Sequence, residues 1–272
     1  MLAGSIAMRC LRVGLLLSLL LAPGSSPSHA VVGGERMKYS MMMTRYVVGI
    51  TYTGPDGRAK QCTGGIIGPQ TVLTAAHCVS KNLSTMHVVV GDIIFHKDAV
   101  AAIPVVAARI HPKYEQSLND WDNAYDLAVI KTRDPLPASS RHLQLAAANF
   151  PIKQIPSVYV IGFGITGWNK KGEAINDGTV NAAIAKRLDG DADDKFIKLD
   201  QKSGVGVCIG DSGGPMVVEN ADGFIVMGVA STVYNGDEKT SRLCSGNATY
   251  ISAYYFRSWI MKQSFELMQL MR

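Results

Sequence analysis

The chain has 272 residues, 47% hydrophobic, 18% charged and 7% aromatic, with a formal net charge of +5. That balance excludes a disordered chain, a collagen-like fibre, a coiled coil and an acidic tail. No Lys/Arg run and no basic stripe interleaved with aromatics occurs, which argues against nucleic acid as a partner. In chain order, Arg9 and Arg12 come first, then the apolar run Val13–Ala22 (VGLLLSLLLA) and the polar, helix-breaking stretch Pro23–Ala30 (PGSSPSHA). This is the layout of a secretory signal peptide over residues 1–30. The run is too short to span about 30 Å of hydrocarbon as a helix, so no stable membrane anchor is expected. Cleavage after Ser28-His29-Ala30 makes Val31 the first residue of a mature chain, 31–272. Beyond it, short β-branched runs recur at 46–52, 65–67, 87–90, 127–130, 157–161, 216–218 and 224–230. Turn signals such as Gly54-Pro55-Asp56-Gly57, Asp134-Pro135-Leu136-Pro137 and Asn235-Gly236-Asp237 separate them. Such spacing predicts one all-β domain, a sandwich or a barrel. From Ala253 to about Met271, Tyr254, Phe256, Trp259, Ile260 and Met261 recur at helical spacing and predict a closing amphipathic helix. The loops around 115–125 and 166–178 read as surface excursions.

After removal of 1–30 the chain keeps Cys62, Cys78, Cys208 and Cys244. An even number in an exported chain predicts two disulfides. Spacing alone leaves all three pairings open. No pair has the C-x-x-C spacing of a zinc or redox motif.

Three segments carry chemistry. Thr71–Cys78 (TVLTAAHC) ends a strand-like run in small residues and presents His77, whose side chain titrates where proton transfer near neutrality needs it. Tyr125–Ile130 (YDLAVI) puts Asp126 at the head of an apolar strand, where a half-buried carboxylate needs a donor such as an imidazole. Cys208–Pro215 (CIGDSGGP) flanks Ser212 with glycines, which permit a tight turn and leave N–H groups open beside the hydroxyl. Each alone has a plain structural explanation: a surface His, a strand-capping Asp, a Gly-rich turn. Together, in the order His, Asp, Ser, they have the chymotrypsin order, unlike subtilisin or the α/β-hydrolases. No His follows Ser212, which excludes a hydrolase-type esterase, and no H-E-x-x-H occurs, which argues against a metallopeptidase.

On these segments the chain resembles the trypsin/chymotrypsin-like serine peptidases over essentially all of 31–272. The resemblance includes Val31-Val-Gly-Gly34, Cys62-Thr-Gly-Gly65, LTAAHC, DLAVIK, GDSGGP, the MGVAS strand and Ser258-Trp259-Ile260. It implies two six-stranded antiparallel β-barrels with a C-terminal helix and the active site between the barrels. It implies Ser212 as nucleophile, His77 as general base and acid, Asp126 as its orienting partner, and the N–H groups of Gly210 and Ser212 as oxyanion donors. It implies the disulfides Cys62–Cys78 and Cys208–Cys244. It also implies an activation pair between a freed Val31 amine and Asp211, so that signal cleavage itself would activate the enzyme. Aligned on Cys208, Gly206 stands at the base of the primary pocket, with Val207 beside it and Ser231, Val233 and Ala248 along its walls. Trypsin-type members carry an Asp at the base. Its absence, with Val233 at the mouth, disfavours cleavage after Lys or Arg and favours uncharged side chains, medium aliphatic over large aromatic. The acidic group Glu115, Asp120 and Asp122 reads as a solvated loop. No cofactor or metal is implied; the expected partner is a protein or peptide substrate, and the expected state is a secreted monomer. The rival class is a catalytically silent binding protein of the same family, which the retention of all three triad residues disfavours.

Overall fold

The computed structural model describes residues 31–37, 41–95, 99–114, 125–147, 149–188, 194–234 and 244–270. The proposed leader, the acidic group at 115–122 and the turn at 235–237 lie outside them. Six strands, β1 (Val47–Thr53), β2 (Ala59–Ile66), β3 (Thr71–Thr74), β4 (His87–Val90), β5 (Ala101–Ile110) and β6 (Ala128–Thr132), close an antiparallel barrel in the order β1-β2-β3-β6-β5-β4. The turn between β1 and β2 is eased by Gly57, whose φ of +73° lies in the left-handed region that glycine adopts without penalty. Its N–H donates to Gly54 O at 2.9 Å and closes the turn.

The second half repeats the plan. Strands β7 (Ser157–Gly162), β8 (Asn181–Arg187), β9 (Phe196–Asp200), β10 (Pro215–Asn220), β11 (Gly223–Val233) and β12 (Asn247–Ser252) run β8-β9-β12-β11-β10-β7, and β7 pairs back onto β8. The expected pair of six-stranded antiparallel barrels is therefore what the chain forms. Branched side chains drive both closures: Val48, Ile50, Val72, Val88, Ile130, Val160, Leu199 and Val226 are buried.

One apolar cluster runs through the first barrel into the second, joining Ile66 and Leu73 to Ile161, Phe163, Val217 and Phe224. Tyr46 meets Phe224 edge-on at 5.2 Å between ring centroids. This seam explains why β1 begins with four buried residues in succession instead of alternating.

The C-terminal helix α1 is Arg257–Gln269, shorter at its start than the expected 253–271. The pairing of β12 extends to Ser252, and a turn closed by Phe256 N–H to Ser252 O (3.3 Å) must intervene before a helix can begin. Tyr254 therefore belongs to the turn. The helix returns to the first barrel, buries Ile260 and Leu267, and packs on β6, β3 and β5. The fully buried Lys131 of β6 donates from Nζ to Leu267 O at 2.9 Å, satisfying a carbonyl near the negative end of the helix. Among the described residues, no helix is long and apolar enough to cross a membrane.

Candidate active site

β3 ends at Thr74, and the chain turns at once through a short 3-10 turn, Ala76–Cys78. Ala76 and Cys78 point inward and His77 points out, its side chain about 35% exposed. Cys78 is bonded to Cys62 of β2, which fixes the turn against the neighbouring strand. A disulfide closing about 15 residues stabilises by roughly 3 kcal/mol in the chain-entropy model. The second bridge joins Cys208 to Cys244. Both pairings are those the resemblance implied. Cys62, His77 and Cys78 bring possible metal-ligand atoms within 4.8 Å of one another, but the two sulfurs are bonded to each other and offer no thiolate.

Asp126 lies just ahead of β6 and is 4% exposed. Its Oδ1 accepts the backbone N–H of His77 at 2.9 Å, and its Oδ2 takes His77 Nδ1 at 2.7 Å. Oδ2 also accepts the hydroxyl of Ser231, from β11 of the other barrel, at 2.6 Å. Three donors thus offset the desolvation of one buried carboxylate. Burial alone would raise the Asp126 pKa, but the His77 and Ser231 contacts hold it below the ordinary value. Burial likewise pulls the His77 imidazolium down, and Asp126 reverses the shift, so His77 titrates above its usual value. Because Nδ1–H donates to Asp126, the neutral ring carries its lone pair on Nε2.

The segment after Cys208 is pinned from two sides. Thr63 of β2 donates from Oγ1 to Gly210 O (3.0 Å) and from N to Ser212 O (2.8 Å). Gly213 N–H reaches Ala230 O in β11 at 2.7 Å. Gly213 has φ +79°, and a Cβ there would lie 2.1 Å from Thr74 Oγ1, so both conformation and space require glycine. Ser212 is partly exposed, and its carbonyl oxygen is 3.6 Å from Cys78 Sγ, which sets the serine beside the His77 turn. Among the described residues, nothing accepts the N–H groups of Gly210 and Ser212.

Asp211 turns the other way and is fully buried. Its two oxygens accept Gly164 N–H and Cys208 N–H, each at 2.8 Å. Burial pushes its carboxyl up to about 7, which these two bonds offset only in part. Val31 is also fully buried, in the same apolar cluster as Val207, Ala230, Ala248 and Tyr250. Val32 bridges Gly206, whose N–H donates to Val32 O at 3.0 Å. The start of the described chain is therefore seated beside 204–208 in the second barrel.

Val207 and Ala248 are buried, and Val233, opposite Ala248 in the β11–β12 register, is partly exposed. Ser231 does more than the sequence indicated, since its hydroxyl binds Asp126 from across the seam. Two further residues escaped the sequence reading. Thr63 holds the turn around Ser212, and Gln201 bridges residues 207 and 244. Their partners distant in sequence, Gly210 for Thr63 and Cys244 for Gln201, reveal them.

A sequence model of the Trypsin family matches residues 31–260. The chain belongs to the trypsin family. As a member it is a serine endopeptidase, a hydrolase of peptide bonds. It is 28% identical over 260 residues to granzyme B of Rattus norvegicus, covering 91% of this chain and 96% of the granzyme. It is 26% identical over 276 residues to trypsin eta of Drosophila melanogaster, covering 95% and 97%. Ovochymase of Halocynthia roretzi is 29% identical over 221 residues, 74% of this chain, but the match spans only 13% of that longer protein. The solved structure of HL collagenase superposes with a TM-score of 0.69 at 21% identity, over 86% of this chain and 98% of that one, and shares the fold.

Proposed function

We propose that the chain is an exported serine endopeptidase in which His77, Asp126 and Ser212 carry acyl transfer and which cleaves after uncharged side chains. The observation that carries this reading is the His77–Asp126–Ser231 hydrogen-bond array beside Ser212. Ser212 Oγ attacks the peptide carbonyl. His77 Nε2 takes its proton and returns it to the leaving amine. Asp126 fixes the tautomer and stabilises the imidazolium. The unclaimed N–H groups of Gly210 and Ser212 receive the oxyanion; losing one such donor typically costs about 10²–10³-fold in turnover. Water then repeats the cycle on the acyl-enzyme.

Val31 and Asp211 form the activation pair. A buried carboxylate accepting only two N–H groups calls for a cation, and freeing the Val31 amine supplies one. The primary pocket has Gly206 at its base and Val207, Val233 and Ala248 around it, with Ser231 at its catalytic edge. None carries a charge to receive Lys or Arg, which supports aliphatic over basic side chains. The leader over 1–30 and two disulfides support export.

The test is a map of new termini. Protein starting at Val31 is incubated with a mixed peptide library and read by mass spectrometry, with Ser212→Ala as control. Cuts after uncharged residues that vanish in the control are expected. Cuts after Lys or Arg would overturn the pocket reading, and an absence of cuts by folded protein would favour a silent binder.

A further inference from the structure

We propose that Gln201 is a specificity-determining residue that closes the primary pocket from beneath and limits it to small and medium aliphatic side chains. This rests on the functional reading above. Gln201 follows β9 directly and is fully buried. Its Oε1 accepts Val207 N–H at 2.7 Å. Its Nε2 donates to Val207 O and to Cys244 O, both at 3.0 Å. Its own backbone N–H reaches Gly246 O at 3.0 Å, and its carbonyl accepts Gly204 N–H at 2.9 Å. The side chain therefore ties Val207 to Cys244, and the backbone of the same residue adds Gly204 and Gly246, beside the Cys208–Cys244 bridge.

Both amide hydrogens of Gln201 are committed to backbone carbonyls, so it offers a ligand no donor and no charge. Its effect on substrate is through volume. A Cβ on Gly206 would lie 2.3 Å from Gln201 Cδ and 2.5 Å from its Cγ. The space a side chain at Gly206 would enter is thus already filled by the glutamine. By the alignment on Cys208, that space is the floor of the primary pocket. The neighbouring walls, Val207 and Ala248, are buried at 1% and 0% exposure. A long or aromatic side chain reaching this floor would have to displace a satisfied amide to go deeper.

The test compares kcat/KM for one peptide series differing only in the residue before the cut: Ala, Val, Leu and Phe. Parent protein starting at Val31 is set against Gln201→Ala and Gln201→Met. A ratio between two substrates does not depend on how much of a variant is folded. The parent is expected to favour Ala and Val. Gln201→Ala, which empties the floor, is expected to raise the Phe-to-Ala ratio about tenfold or more, the scale of pocket-volume discrimination. Gln201→Met keeps the volume without the hydrogen bonds and is expected to hold the parent ratio. An unchanged ratio in Gln201→Ala, or a parent that prefers Phe, overturns the proposal while leaving the peptidase reading intact. If Gln201→Ala does not fold, Gln201→Val, smaller by a polar group, serves in its place with the same two outcomes. A folded parent that cuts none of the series fails the functional reading, and this inference falls with it.

Discussion

Keeping one residue ahead of Val31 turns the proposed activation pair into a measurable stability defect. In the uncleaved chain the Val31 nitrogen is part of a peptide bond, and Asp211 sits fully buried with its carboxyl near 7. The ordinary value for that group is 3.8. A difference of about three units corresponds to about 4 kcal/mol. The folded state binds the proton more tightly than the unfolded one. This contribution therefore supports the fold at low pH, is lost between about pH 4 and 7, and stays lost above. In the proposed pair, a free amine at Val31 would bind the ionised carboxylate and lower its pKa, which would remove that loss. The assay is urea unfolding at pH 4.5 and 8.5 for three proteins: one starting at Val31, one retaining Ala30, and one retaining Ala30 with Asp211→Asn. The Ala30 form is expected to weaken between pH 4.5 and 8.5 by about 3 kcal/mol relative to its Asp211→Asn version, because pH 4.5 already lies above the ordinary value of 3.8. The Val31 form is expected to keep its stability, and it alone hydrolyses peptides rapidly. Equal pH dependence in the Val31 and Ala30 forms, or equal activity, would refute the pair.

Three further outcomes follow from the same geometry. Ser231→Ala removes a 2.6 Å bond to the Asp126 carboxylate and is expected to lower kcat about tenfold with KM little changed, measured on one peptide substrate. His77 must be neutral to act as base, so kcat/KM is expected to rise with pH through a midpoint above the usual 6.5, because Asp126 outweighs burial. In Asp126→Asn only burial remains, and the midpoint in the residual pH profile is expected below 6.5. Lys131→Ala leaves Leu267 O without its partner and is expected to cost about 2–3 kcal/mol. Calorimetry would read this as a Tm lower by roughly 5–10 °C, with unchanged activity in the folded enzyme.

The three chemical segments were legible because their chemistry demands particular residue types in consecutive positions. Small residues must precede His77, and glycines must surround Ser212. Strands at 87–90 and 157–162 were legible from β-branched runs. The strands at 101–110 and 181–187 were not. Both are rich in alanine, which favours helix, and the first contains Pro104. The chain tolerates them through tertiary pairing, and Pro104 sits just before the register shift between Val105 and Ala107. Ser231 and Gln201 were hidden for another reason. Their roles are defined by Asp126, 105 residues away, and by Cys244, 43 residues away. No local pattern records such partners.

Covalent trapping tests the central claim most directly. Protein starting at Val31 is treated with a fluorophosphonate, and the adduct is located by intact mass and peptide mapping. The account predicts one adduct per chain, on Ser212, formed at least about 10³-fold more slowly after His77→Ala. No adduct on folded protein, or peptide hydrolysis that persists with Ser212 unmodified, would contradict it.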